Sequence, residues 1–139
     1  MRKMKNSKGF TLMEMLIVVA IIAVLGAVMI PVMTNQLERS REAADAANIR
    51  AAYAEVMAAA LVGTGDNTSG VTYNATAGTY TMTVEATQRQ TGWQNTSIEK
   101  IGGLAVGDGT DQINAVVKGH TWTVSYNENS GVVSIAPTT

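Results

Sequence analysis

A chain of 139 residues with a formal net charge of −1 and no cysteine has room for one modest domain. Without cysteine, disulfide frameworks, thiolate metal sites and thiol nucleophiles are excluded. The charge is unevenly placed: Arg2, Lys3, Lys5 and Lys8 precede the first acid, and beyond residue 9 there remain six basic and eleven acidic residues. That acidic balance argues against a general polyanion binder and leaves room only for a local basic patch.

The basic start leads into an apolar stretch, Phe10–Met33, whose single ionisable side chain is Glu14. About 20 helical residues suffice to cross a bilayer, and the basic flank sets the N-terminus in the cytoplasm. The apolar region of a secretory signal peptide is shorter, about 7–15 residues, and the small residues Gly26 and Ala27 make a mediocre cleavage site. A plain membrane anchor is the simpler competing reading. Glu14 decides against it, because a carboxylate in a membrane helix costs about 2.5–3.5 kcal/mol and needs a partner. No neighbouring residue supplies a cation. Cleavage after Gly9 would create one, the new α-amino group of Phe10, on this copy or an adjacent one.

The run Lys8-Gly9-Phe10-Thr11-Leu12-Met13-Glu14, continued by Met15-Leu16-Ile17-Val18-Val19-Ala20-Ile21-Ile22-Ala23, resembles the N-terminus of type IV pilins and type II secretion pseudopilins. The resemblance implies cleavage between Gly9 and Phe10 by a prepilin peptidase, N-methylation of Phe10 and a subunit-docking role for Glu14. It further implies insertion in the cytoplasmic membrane, delivery to an assembly platform there, and polymerisation with other copies into a surface filament. The implied fold is α+β: a long N-terminal helix, its apolar half protruding and its C-terminal half packed on a small antiparallel sheet. The corresponding division is 1–9 leader, 10–33 membrane and filament-core helix, 34–62 amphipathic helix and 63–139 β-rich head.

Gly26 and Pro31 interrupt the apolar helix, since proline removes a backbone donor and mid-helix glycine costs about 1 kcal/mol against alanine. Asn35-Gln36-Leu37-Glu38 then reads as an N-cap with its reciprocal acid, a place to restart. Gly26 and Pro31 thus mark a candidate helix break, with a continuous, mildly kinked helix at least as well supported for the isolated subunit. The family resemblance implies that the corresponding stretch can melt locally in assembled pili, which makes Gly26–Pro31 the expected extensible segment of a filament. Over 35–62, Leu37, Ala44, Ala47 and Ala51, and then Ile49, Tyr53, Val56, Met57, Ala60 and Leu61, recur at helical spacing. Glu38, Arg39, Arg41, Glu42, Asp45, Arg50 and Glu55 fall largely on complementary faces and read as solvated, with Glu38–Arg41 and Arg41–Asp45 as minor pairs.

The glycine-rich stretch from Gly63 to Gly70 ends the helix. Strands follow at Tyr80–Ala86, at Ile113–Val117 with weaker alternation, and at His120–Tyr126, the last turning through Asn127–Gly131 into Val132–Ala136. His120, the one histidine, has no acid and nucleophile around it in sequence and reads as structural. Asp108 and Asp111, in a glycine-rich loop, are weak calcium candidates, because calcium takes six to eight oxygens and these supply few. A tight turn is the plainer reading, and no other cofactor is expected. Asn67, Asn74 and Asn95 begin triplets of the glycosylation type but read as loops. Trp93 and Trp122 read as packing residues before adhesive ones. No catalytic constellation is present in the sequence, so an enzyme is the least supported class. The expected function is a structural pilin; a pseudopilin driving protein export and a competence pilin contacting DNA are the alternatives, nucleic acid being disfavoured by charge.

Overall fold

The computed structural model describes residues 9–63 and 70–138. The basic leader residues 1–8, the centre of the glycine-rich loop with Asn67, and residue 139 lie outside them. Contacts divide the chain into two units, Met1–Gln36 and Leu37–Thr139.

One helix, α1 (Leu12–Val62), supplies the apolar N-terminal element. It carries Pro31 without interruption, the continuous-helix reading for the single chain, with neither a break at Gly26–Pro31 nor a restart at Asn35. The hydroxyl of Thr34 donates to the Pro31 carbonyl at 2.9 Å, a local bond beside the site where proline removes a helical donor. Gly26 has no atom within 4 Å of where a Cβ would stand, so nothing in this chain requires glycine there. At its other end α1 stops on Gly63, which adopts φ +67° and returns its N–H to the Ala59 carbonyl at 3.1 Å. That is the left-handed helix stop for which glycine is suited.

The second unit is built on a four-stranded antiparallel sheet, β1 (Thr72–Asn74), β2 (Thr79–Glu85), β5 (Thr121–Asn127) and β6 (Val132–Thr138), in the order β1-β2-β5-β6. A small hairpin, β3 (Lys100–Ile101) and β4 (Leu104–Ala105), stands apart from it. Register places Val84 opposite Trp122, Met82 opposite Val124, and Val124 opposite Ile135. Alternation then puts Tyr80, Val84, Trp122, Val124 and Ile135 in the core. Thr123 and Thr138, and Ser125 and Ser134, pair hydroxyl to hydroxyl at 2.7 Å on the other face. Pro137 is tolerated because β6 is an edge strand.

The core is closed by one face of α1: Ala46, Ile49, Ala52 and Val56 are buried with Ile101, Ile113 and Trp122. The β3–β4 turn fits against the same helix at Gly102, where a Cβ would stand 2.8 Å from the Tyr53 ring. The first set of expected apolar positions, Leu37, Ala44, Ala47 and Ala51, is exposed, as is Leu61 of the second. The expected strand at Ile113–Val117 is also absent. Ile113 makes only an isolated bridge to Val106. Two indole N–H groups take the carbonyls there, Trp93 to Ile113 and Trp122 to Asn114, both at 2.8 Å, in place of a neighbouring strand.

Candidate functional site

Chemistry-bearing side chains gather at two places, one in each unit. At the start of α1, Gly9 and Phe10 are exposed and precede the first helical residue. Thr11 is the N-cap. Its hydroxyl accepts from the Glu14 N–H at 3.2 Å, while the Glu14 carboxylate accepts from the Thr11 N–H at 2.8 Å and the Thr11 hydroxyl at 3.1 Å. This reciprocal pair is a capping box, and it also sets a negative charge at the positive end of the helix dipole. Seeking a cation for Glu14 passes over Thr11, although threonine followed three residues later by glutamate is a readable signal. Gly9 has a conventional backbone and no atom within 4 Å of a would-be Cβ. Downstream, Leu16, Ile17, Ala20, Ile21, Val24 and Leu25 line an open apolar groove along the helix. By length and composition this is a helix able to cross a membrane.

The second place was not foreseen. Glu38, Glu42 and Asp45 are each at most 1% exposed, although their charges read as solvent-facing in the sequence. Spacings of four and three put them on one helix face, directly before the buried Ile49. Each carboxylate accepts backbone N–H groups from the segment 87–95. Asp45 takes those of Thr87, at 2.9 Å to one oxygen, and Gln88, at 3.0 Å, with the Thr87 hydroxyl at 2.7 Å. Glu38 takes those of Arg89 and, at 2.7 Å, Gln90. Glu42 takes those of Gln94 at 2.7 Å and Asn95 at 2.6 Å. Six backbone donors with no strand partner are thereby satisfied by three side chains. The arrangement is a latch that fastens an irregular segment along α1.

Arg41 completes it, donating to Glu38 at 3.0 Å, the expected i,i+3 pair. Its other expected partner, Asp45, is committed to Thr87 and Gln88 instead. Burial pushes the Glu38 carboxyl up, but the N–H groups of Gln90 and Arg89 and the Arg41 guanidinium outweigh it and hold the pKa below its ordinary value.

The remaining sequence candidates are dispersed. His120 is half-buried at the foot of β5, its Nδ1 3.4 Å from the Val117 carbonyl. Asp108 and Asp111 are exposed, on a loop whose Gly109 N–H donates to the Gln112 side chain at 3.1 Å. Turned so that its amide donates, Asn114 reaches the carbonyls of Gly107 at 2.7 Å and Gly109 at 3.1 Å. The loop is thus tied by its own amides, and among the described residues no three His, Asp or Glu side chains converge as metal ligands. Trp122 is fully buried and stacks on half-buried Trp93, with centroids 6.0 Å apart. Both therefore pack the head, as expected of them.

An apolar helix with one acid in its capped first turn, together with a four-stranded antiparallel sheet, defines an α+β protein of pilin-like architecture. Residues 4–30 match the model of the prokaryotic N-terminal methylation motif. The chain is also 54% identical over 39 residues to the type IV wide pilus major component PilA4 of Thermus thermophilus. That likeness covers 28% of this chain and 30% of the relative. No solved structure was found to match. The N-terminal segment thus carries a prokaryotic N-terminal methylation motif and is similar to that of a type IV pilus component, and the chain spans less than a third of that relative's length in the match.

Proposed function

We propose that the protein is the structural subunit of a type IV pilus-like filament, processed between Gly9 and Phe10 and polymerised through the apolar part of α1. The observation that carries this is the helix start. A capped glutamate stands five residues beyond a glycine, on a helix whose large apolar side chains from Phe10 to Met33 are all exposed. An uncovered apolar surface of that extent needs lipid or other copies of itself. A Gly9 that neither backbone conformation nor crowding demands is accounted for by recognition outside the chain, as by a prepilin peptidase. N-methylation would then fall on Phe10.

Before cleavage the Thr11 cap partners the Glu14 carboxylate and eases its entry into the membrane. After cleavage the Phe10 ammonium, on a neighbouring subunit, becomes the stronger partner, and Glu14 docks the incoming copy. In this reading the protein waits in the cytoplasmic membrane, passes to an assembly platform and ends on the cell surface. Its role is mechanical and not enzymatic. The pilus reading is preferred to an export pseudopilin because the similar Thermus protein is described as a pilus component. Gly26–Pro31 remains the extensible segment of this proposal, helical in the single chain and opened in the fibre.

Glu14→Ala tests docking. The expected result is a normally processed, membrane-held subunit with filament yield reduced at least about tenfold, the equivalent of losing one charge-assisted contact per subunit. Processed Glu14→Ala protein assembling at wild-type yield would contradict it.

A further inference from the structure

The latch has a product on its outer side. It turns residues 85–89 beside α1, and the Lys118 N–H is tied to the Gln88 carbonyl at 2.7 Å. Between them opens a cleft of about 690 Å³ lined by Arg41, Arg89, Lys118 and His120, with Glu85 as the one acid. Beyond residue 9 the chain has six basic residues, and three of them line this cleft together with the sole histidine. Arg89 and Lys118 are exposed, and among the described residues neither forms a salt bridge; the one found there joins Arg41 to Glu38. In a chain whose charge is acidic, gathering Arg89 and Lys118 beside the Glu38-paired Arg41 in one concavity raises their mutual repulsion, and a bound anion would relieve it.

We propose that this cleft binds a phosphate group, either free or carried by a phosphodiester polymer. The cations come from three separate parts of the chain, α1, the latched segment and the turn before β5, and so can approach a ligand from several sides. Free phosphate offers an oxygen to each, and a phosphodiester offers two unesterified oxygens held on a tetrahedral centre, whereas a carboxylate offers only two oxygens in one plane. Glu85 opposes the ligand and sets a limit on affinity. The local site coexists with a net acidic surface, so it holds one phosphate at a time, free or within a polymer, and does not track a long stretch of backbone.

The test uses the full chain in detergent micelles, titrated calorimetrically with inorganic phosphate, a short single-stranded oligonucleotide or acetate at matched ionic strength. Saturable phosphate binding is expected, weakened about tenfold by Arg89→Gln or Lys118→Gln and strengthened by Glu85→Gln. Both cationic side chains are exposed, so the variants should keep the wild-type melting temperature without ligand. Tighter binding of the oligonucleotide assigns the site to polymer-borne phosphate, and equal binding per phosphate to the free ion. The proposal is overturned if neither probe saturates, if acetate binds as well as phosphate, or if the double variant Arg89→Gln/Lys118→Gln binds unchanged. None of these outcomes depends on whether filaments form.

Discussion

At the scale of single residues the buried carboxylates dominate. Each neutralises the cost of its own burial by accepting backbone N–H groups that would otherwise be orphaned. Asp45→Ala or Glu42→Ala should therefore destabilise the head by about 2–4 kcal/mol, because two backbone donors are left without an acceptor in each case. Ala44→Ser and Ala47→Ser, on the exposed stripe of the same helix, should stay within about 0.5 kcal/mol. Denaturant unfolding of the full chain in micelles, followed by tryptophan fluorescence, distinguishes the two groups. Glu38 adds a pH dependence of definite sign. Its folded pKa lies below the ordinary 4.5, so the unfolded chain binds more protons as the pH drops past that value. Its contribution is complete above about pH 4.5 and is lost as pH falls through the folded pKa. The melting temperature should thus fall with acidification in that range, and Glu38→Gln should flatten the slope. A Glu38→Gln chain with an unchanged acid profile would remove Glu38 from the account.

These acids show where residue-level reading stopped. Sequence spacing put Glu38, Glu42 and Asp45 on one face of a helix, and charge alone assigned that face to water. The donors that reverse the assignment are backbone N–H groups some fifty residues later, and no side-chain pattern announces them. Thr11 is a different case: its partner is three residues away, and the pattern was readable.

At the scale of elements, α1 joins two chemistries in one continuous helix. The buried stripe at 38, 42, 45, 49, 52 and 56 begins polar and ends apolar, which is why apolar periodicity located only its second half. The hairpin β5–β6 and strand β2 were legible because period-two alternation coincides with their burial. Ile113–Val117 alternated weakly and is held by two indoles instead. Trp122→Phe should cost more than its lost volume, because the Asn114 carbonyl loses its donor; about 2–3 kcal/mol is expected from thermal unfolding. The proline in α1 belongs here as well. Helix continuity through Pro31 is held without one backbone hydrogen bond, so the turn before it is the weakest part of the apolar half. Pro31→Ala should slow amide hydrogen exchange of the residues just before it by at least about tenfold, given a proline penalty of about 3 kcal/mol. Unchanged exchange there would remove the mechanical role proposed for Gly26–Pro31.

At the scale of the whole molecule, the two units pose different problems of solubility. The head, Leu37–Thr139, closes a core around Trp122 and satisfies its irregular segment with its own carboxylates. Among the described residues nothing covers the apolar part of α1, and its one acid is held by its own cap. Lipid can cover that surface in one copy, and other copies can cover it in a fibre. The family motif and the exposed helix were both visible in the sequence, since each is local; the head's internal wiring was not. The central claim is that this chain is cut between Gly9 and Phe10 and stacked into a filament. Electron microscopy of sheared cell-surface material, with mass spectrometry of the N-terminal peptide of the fibre protein, tests it most directly. The account predicts long fibres whose subunit begins at N-methylated Phe10. A chain found only in the cytoplasmic membrane, with the peptide before Phe10 still attached and no fibre containing it, would contradict the account.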